Sequence, residues 1–260
     1  MQPARSPLKD RSLRLPGQST AEQLEKLLDE RIETPGIMAA FSIALAVSEW
    51  WRWYKPFPPQ PVLFSAVAAL ATAYAGWRLW RTRPAIRALR LGIEGERAVG
   101  QFLERLRAQG YHVLHDVLGE NFNIDHVLIG PAGVITVETK TWTKPRRGNA
   151  KITFDGERLV IQGHAPDRDP VAQARAQASW LRRVLVDSTG RELPVRAVIV
   201  FPGWFVERTP GGSRDVWVLE PKALTAFLAK EPEQLRSEDV NLATFHLSRF
   251  VRTGERSTGR

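Results

Sequence analysis

Two acidic residues and a lysine near the middle of the sequence are of the types that hold a divalent metal ion and activate water. Asp125 lies in the segment Asn123-Ile124-Asp125-His126, and Glu138 and Lys140 lie in Val137-Glu138-Thr139-Lys140. Two carboxylates form an all-oxygen site of the kind that Mg²⁺ or Mn²⁺ prefers. An ammonium group beside them can stabilise negative charge growing on a phosphate. The pattern is therefore typical of sites that cut phosphodiester bonds.

The two segments are predicted to pair as a β-hairpin. Both are rich in β-branched and apolar residues, and the Gly-Pro-Ala-Gly sequence at 130–133 between them is a strong turn signal. Pro131 excludes a type I′ turn, because proline cannot take the positive φ that this turn requires. A four-residue loop over 130–133 would pair Ile129 with Val134.

Two loop lengths remain, and they place the acidic residues differently. A three-residue loop with a bulge at Gly133 would put Asp125 opposite Thr139. The four-residue loop puts Asp125 opposite Glu138 and brings Lys140 to the same face, since side chains alternate along a strand. We expect the four-residue loop. The competing interpretation is a cross-strand cluster of surface charges without chemistry.

Further motifs flank this hairpin. Upstream, a G-x-x-G-E sequence at 92–96 is predicted to open an amphipathic helix, and downstream a D-P-x-x-Q sequence at 169–173 opens another. With the hairpin motifs, these features make residues 91–185 resemble the nuclease-related domain (NERD) family. That family is similar to the restriction-endonuclease-like, or PD-(D/E)xK, nucleases.

The resemblance implies a catalytic set and a metal site. The set consists of Glu96, Asp125, Glu138, Lys140 and Gln173. The resemblance implies that Asp125 and Glu138 bind Mg²⁺ or Mn²⁺, and that Thr139 contributes only its main-chain carbonyl. It also implies a mixed β-sheet flanked by helices. The alternation of strand and helix patterns along the chain indicates the same α/β class.

The composition indicates a polyanionic partner. The 260 residues carry a formal net charge of +9 with a pI near 10.3, which favours nucleic acid or an anionic membrane surface. Four basic residues close to the motif are predicted to contact nucleic-acid phosphates: Lys144, Arg146, Arg147 and Lys151. The alternative is an ordinary solvated loop. The chain has no cysteine, which excludes disulfides and thiol chemistry.

The N-terminal third has a different character. Residues 1–35 are predicted to be a polar segment, disordered over 1–18, with an amphipathic helix over 20–32 for which Thr20 is the candidate N-cap. Two apolar stretches follow at 36–47 and 61–77; three tryptophans at 50–53 come just after the first, and Trp77 ends the second. A helix needs about 20 apolar residues to cross a membrane, and tryptophan prefers the interface. We therefore expect a transmembrane helical hairpin over 36–81 that contacts the lipid bilayer.

The positive charges predict an orientation for this hairpin. Arginines are denser after the second stretch than in the loop at 54–60, so the termini and the catalytic domain are expected in the cytoplasm. This predicts a two-pass protein of the bacterial inner (cytoplasmic) membrane. A soluble hairpin, or one that lies on the membrane, is the alternative.

The remaining chain is predicted to complete one domain over 91–250, with a basic tail at 251–260. We predict strands at 111–117, 151–154, 159–162, 195–201 and 215–219, and helices at 169–186, 221–230 and 237–251. The function expected is a membrane-anchored, Mg²⁺-dependent nuclease acting on DNA or RNA. The alternative is an inactive module that binds nucleic acid, signals or acts as a scaffold at the membrane. The complete catalytic set favours the enzyme.

Overall fold

A computed structural model describes residues 13–54, 60–119, 121–144, 150–166, 168–208 and 215–258, with the main chain alone for 253–258. The chain divides into two compact units. Ser19–Leu91 form a helical unit. Gly92–Arg260, together with the N-terminal segment up to Gln18, form the second unit. Most of the predicted disordered segment and the predicted hairpin loop lie outside the described residues.

The helical unit consists of long helices. Helix α1 (Gln18–Leu28) continues through a π-helical turn (Asp29–Glu33) into α2 (Thr34–Trp53), and α3 (Pro61–Glu104) follows. Thr20 was predicted to cap α1, and this is wrong. The helix begins earlier because Gly17, with φ +73°, turns the chain directly into it.

Helix α3 also differs from the prediction. It runs through 44 residues without a break, so Gly92 lies inside a helix and does not open one. Even Pro84 lies within it. A glycine in the interior of a helix lowers the stability of the helix by only about 1 kcal/mol relative to alanine. The helical preference of the residues in the neighbouring turns is enough to offset this. The last part of α3, from Gly92 onward, belongs to the second unit.

The second unit is built on a five-stranded mixed sheet in the order β1-β2-β3-β6-β8. Its strands are β1 (His112–Leu118), β2 (Asn123–Gly130), β3 (Gly133–Thr139), β6 (Val195–Val200) and β8 (Val216–Leu219). Strands β1, β2 and β3 pair antiparallel, whereas β3, β6 and β8 pair parallel. Strands β2 and β3 lie at the centre and are buried over most of their length.

The hairpin has the predicted register, since Ile129 pairs with Val134. The loop is tighter than predicted, because Gly130 pairs with Gly133 and only two residues remain in the turn. Gly133 has φ +111°, a backbone conformation that glycine adopts readily and other residues rarely do. This conformation allows a two-residue turn that contains Pro131, and the pairing of Ile129 with Val134 is kept.

A smaller sheet lies beside the first, in the order β5-β4-β7. Strands β4 (Lys151–Phe154) and β5 (Leu159–Ile161) form the predicted antiparallel hairpin. Strand β7 (Phe205–Arg208) was not predicted. It is only four residues long and pairs parallel with β4, a distant segment, so nothing local marks it.

Three further helices complete the unit: α4 (Pro170–Thr189), α5 (Pro221–Leu228) and α6 (Ser237–Thr258). Helix α6 continues into the segment that was predicted to be a tail. One apolar core includes residues of α4 and α6, and the other includes residues of α5 and the end of α3. The consecutive β2 residues Val127 and Leu128 point to opposite faces of the sheet and belong to different cores. Helices therefore cover both faces of the sheet. The predicted mixed α/β class is confirmed.

Candidate active site

Glu138, at the end of β3, is the centre of a dense hydrogen-bond network. Its side chain is almost completely buried, with 4% of its surface exposed. Lys140 Nζ and Gln173 Nε2 each donate to Glu138 Oε1 at 2.7 Å. Gln177 Nε2 donates to Glu138 Oε2, also at 2.7 Å. Lys140 Nζ donates to Gln173 Oε1 at 3.0 Å as well, which closes a ring of contacts around one carboxylate oxygen.

Asp125 lies on β2, where the hairpin register continued by one residue places it opposite Glu138. The main-chain N–H of Thr139 donates to Asp125 Oδ2 at 2.7 Å. Burial, together with the negative charges of Glu138 and then Glu96, raises the pKa of Asp125 well above its usual range. Carboxylates therefore crowd together here, with one lysine to balance them.

Glu96 approaches from α3 and is also buried. The preceding residue, Gly95, explains how the helix comes so close. A Cβ atom at Gly95 would lie 1.8 Å from Thr141 Oγ1 and 2.9 Å from Thr141 Cβ. The glycine of the G-x-x-G-E motif thus lets α3 pack directly against the chain that leaves β3.

Helix α4 positions the two glutamines. Asp169 caps this helix, since its Oδ1 accepts from the main-chain N–H groups of Val171 and Ala172 at 2.9 and 3.1 Å. Gln173 and Gln177 are four residues apart and so lie one above the other on one face of the helix. Gln177 Nε2 also donates to the Asn123 carbonyl at 3.0 Å. Gln177 was missed in the sequence, although its spacing from Gln173 was the available signal.

The structure therefore brings most of the predicted set together. Glu138, Lys140 and Gln173 are in direct contact, and Asp125 is joined to them through the Thr139 N–H. Glu96 is near enough for its charge to act on Asp125. Thr139 was predicted to contribute its carbonyl; the contact described here is made by its N–H group.

The donor set fits a hard divalent cation. In the described part of the chain, no three His, Cys, Asp or Glu side chains are grouped closely enough to ligate one ion. Mg²⁺ commonly keeps several waters and takes only one or two protein carboxylates. Asp125 and Glu138 can supply that number, and a cation would offset both the burial and the carboxylate repulsion that raise the pKa of Asp125.

The predicted nucleic-acid contacts are only partly described. Lys144 is exposed. Arg146 and Arg147 lie outside the described residues. Lys151 lies on β4, and its Nζ forms an ion pair with Glu207 of β7 at 2.7 Å.

His126 faces the opposite side of the sheet from Asp125, as the alternation of side chains predicts. Its Nδ1 lies 2.9 Å from His115 Nδ1, and His115 Nε2 lies 2.9 Å from Glu104 Oε1. Burial lowers the pKa of both histidines. Their contacts tie β1 and β2 to α3, which is a structural role.

Asp116 is fully buried, and its backbone has φ +51°, in the left-handed region. Arg14 Nε donates to its Oδ2 at 2.5 Å, and Asn123 Nδ2 donates to its Oδ1 at 2.9 Å. Asp116 therefore anchors the N-terminal segment to the sheet.

Comparisons with known proteins bear on the family of the chain. An uncharacterized protein of Bacillus anthracis is 39% identical over 56 residues, which cover 20% of this chain and 26% of that protein. The chain thus spans about a quarter of that relative's length. No solved structure matches significantly. Residues 91–202 match the family model of the nuclease-related domain, which confirms the family suspected from the sequence motifs.

Proposed function

We propose that this protein is a membrane-anchored, Mg²⁺-dependent nuclease that hydrolyses phosphodiester bonds of DNA or RNA on the cytoplasmic side of the membrane. The nuclease-related domain indicates a nuclease-related function. The observation that carries the more specific proposal is the fixed position of Glu138. Lys140, Gln173 and Gln177 donate to its two oxygens at 2.7 Å, and Asp125 lies beside it.

Each residue has a distinct task in this proposal. Asp125 and Glu138 hold the cation, which when bound polarises the scissile phosphate and lowers the pKa of a bound water. Lys140 stabilises the charge that grows on the phosphate, or holds the attacking water, while it remains in contact with Glu138. The two glutamines keep the Glu138 carboxylate in one orientation, so little reorganisation is needed during the reaction.

The charge of the chain supports a nucleic-acid substrate. A net charge of +9 attracts a polyanion at long range. Lys144 follows Lys140 closely in the chain and is exposed, so it can neutralise a backbone phosphate irrespective of base sequence.

The helical unit supports membrane anchoring. The helical stretches Gln18–Trp53 and Pro61–Gln109 are each long and apolar enough to cross a membrane. Only 6% of the most apolar window of the second stretch is buried, unlike the core helix of a soluble protein. Almost all exposed large apolar side chains of the described residues lie between Ile37 and Trp80. Such a surface requires a cover, and lipid is the cover that fits two long helices.

Cleavage assays with the full-length chain test the catalytic proposal. With Mg²⁺, the wild type should degrade nucleic acid, whereas Glu138→Ala and Lys140→Ala should each slow cleavage by about a hundredfold or more, as loss of a charge-stabilising group does. Lys222→Ala is the matched control, since this exposed lysine of α5 lies outside the site. It should cleave at the wild-type rate.

Two results would contradict this proposal. Equal cleavage by wild type and Lys140→Ala would place the activity elsewhere or in a contaminant. Binding of nucleic acid by the wild type without any cleavage, under all divalent ions tried, would favour the inactive binding module.

A further inference from the structure

A cavity of about 490 Å³ lies within the helical unit. It is formed where the end of α1 and the π-helical turn after it face α3, from the end of the apolar stretch onward. Its polar and aromatic lining consists of Arg31, Tyr74, Trp77, Arg78, Arg81 and Thr82. We call this cavity the arginine pocket.

The arginine pocket has an unbalanced positive charge. Three guanidinium groups line it, and no carboxylate does. Within the described part of the chain, neither Arg31 nor Arg81 forms an ion pair with an acidic side chain. Arg31 and Arg81 are exposed and Arg78 is half-buried, so an anion can reach all three and would relieve the repulsion between their like charges. The pocket is therefore charged for an anionic ligand.

Two of the three guanidinium groups, those of Arg78 and Arg81, contact neutral partners. Arg78 donates to the Tyr74 hydroxyl at 3.2 Å and to the Glu30 carbonyl at 3.3 Å. The Arg81 guanidinium lies 5.2 Å from the centre of the Trp77 ring, in a cation–π contact. These contacts orient the arginines without neutralising them. Planar guanidinium groups can then bind phosphate oxygens in pairs.

The position of the pocket along the helices identifies the source of the anion. Arg31 and Trp51 are separated by about 30 Å, at a rise of 1.5 Å per residue, which equals the hydrocarbon thickness of a bilayer. When Trp51 and its aromatic neighbours occupy one interface, the arginine pocket lies at the other. Tyr74 and Trp77 beside it are residue types that favour that level. Lipid phosphates are concentrated at this depth.

We propose that the arginine pocket binds the phosphate of an anionic phospholipid headgroup. This inference rests on the proposed membrane anchoring and is independent of nuclease activity. A headgroup without a positive charge, such as phosphatidylglycerol, presents only its phosphate to the three arginines. The choline of phosphatidylcholine would bring a further cation close to them, so the pocket should discriminate against it.

Native mass spectrometry of the detergent-solubilised full-length chain tests the inference. The wild type should retain phosphatidylglycerol about tenfold more than phosphatidylcholine, a ratio that one charge-assisted hydrogen bond can supply. Arg31→Gln and Arg81→Gln should each remove most of that preference, and Arg81→Lys, which keeps the charge, should retain part of it. Arg83→Gln is the matched control, because Arg83 is exposed on the same helix and does not line the cavity.

Three outcomes would overturn the inference. One is equal retention of the two lipids by the wild type, and another is the same loss in Arg83→Gln as in Arg81→Gln, which would indicate diffuse attraction. The third is displacement of phosphatidylglycerol by inorganic phosphate or by a single-stranded oligonucleotide at similar concentrations, since the ligand would then be a free phosphate or nucleic acid.

The same preparations separate this inference from the proposed function. The arginine variants should keep wild-type cleavage and remain in the membrane after alkaline carbonate washing. If the chain is membrane-bound and cleaves nucleic acid but shows no lipid preference, only the inference that the arginine pocket binds lipid is overturned.

Discussion

Glu138 shows at the scale of single residues how a buried carboxylate can be kept in one orientation. Both of its oxygens accept hydrogen bonds, one from Lys140 and Gln173 and the other from Gln177. A buried charge without such partners would cost several kcal/mol. The partners come from the adjacent end of β3 and from α4, so the position of the carboxylate depends on the packing of that helix against the sheet.

The first prediction concerns Gln177. Gln177→Leu should leave Glu138 Oε2 without its donor, because Gln177 contributes the 2.7 Å hydrogen bond described for that atom. We expect the apparent Mg²⁺ affinity in cleavage assays to fall by about 10–100-fold, the usual effect of losing a group that orients a metal ligand. A titration of cleavage rate against Mg²⁺ concentration measures this.

Ser179→Ala is the control for Gln177→Leu, since Ser179 is exposed on the same helix. It should have the wild-type Mg²⁺ dependence. If Gln177→Leu cleaved at the wild-type rate at limiting Mg²⁺, Gln177 would have only a packing role.

The second prediction concerns Asp125 in the absence of divalent ions. Burial and the neighbouring carboxylates raise the pKa of Asp125 in the folded state. Its contribution to stability is therefore fully present below the unfolded-state pKa of about 3.9 and is lost as pH rises through the folded pKa. Asp125→Asn removes this loss and still offers an oxygen to the Thr139 N–H. At neutral pH the variant should unfold at a higher temperature than the wild type.

Thermal unfolding of the wild type and Asp125→Asn, measured across pH, tests whether the variant is the more stable protein at neutral pH. The advantage of Asp125→Asn should shrink towards pH 4 and should also shrink when Mg²⁺ is added, because bound cation stabilises only the wild type. A variant that is less stable than the wild type at neutral pH without Mg²⁺ would mean that the crowding of carboxylates does not strain the fold.

At the scale of elements, the contact between α3 and the end of β3 decides where Glu96 lies. Gly95 faces Thr141 so closely that no side chain fits between them. Gly76, on the same helix, has open space where its Cβ would be. The two glycines therefore provide opposite tests of one substitution.

The third prediction compares them. Alanine is a better helix former than glycine by about 1 kcal/mol, so Gly76→Ala should be neutral or stabilising. Gly95→Ala should instead destabilise by about 1–3 kcal/mol, the range for overpacking, and should reduce cleavage by displacing Glu96. Thermal unfolding and cleavage of both variants measure this. Similar stability of Gly95→Ala and the wild type would show that Thr141 moves aside at little cost.

The limits of local patterns are also visible at this scale. Strand register was predictable because the Gly-Pro-Ala-Gly turn residues limit the length of the loop, and the loop length fixes which residues of the hairpin pair. The predicted start of a helix at Gly92 was wrong, because glycine weakens a helix without ending it and α3 continues through this residue. Strand β7 was missed because its partner, β4, lies far away in the sequence.

The fourth prediction concerns the topology of the full-length chain in the membrane. The chain has no cysteine, so single-cysteine variants report position without background. Gln60→Cys, at the start of α3, should react with a membrane-impermeant maleimide added to intact cells or spheroplasts. Ser188→Cys, exposed on α4, should react only after lysis if the nuclease-related domain faces the cytoplasm.

Alkaline carbonate washing complements the labelling. The full-length chain should stay in the membrane pellet, because two apolar helices hold it there. Release of the chain by carbonate would contradict the hypothesis of a transmembrane hairpin. Labelling of Ser188→Cys in intact cells would indicate that the domain lies on the outer side of the membrane.

Local sequence signals were enough to predict the α/β class and the hairpin register, and the family motifs pointed to five residues that the fold brings to the candidate site. Alternating apolar residues and turn residues are local signals, and they set which side chains share a face. The apolar stretches of the N-terminal third could also be recognised in the sequence, and the structure contains two helices there that are long and apolar enough to cross a membrane.

The contacts that hold the candidate site join segments that are far apart in the sequence. Gln177 donates to Glu138, and Gly95 meets Thr141, across distances of 39 and 46 residues in the chain. The arginine pocket likewise joins Arg31 to Arg81, which lie in separate helices. Such contacts follow from how helices pack on a sheet or on each other; helical spacing puts Gln173 and Gln177 on one face of α4 but does not say what that face contacts.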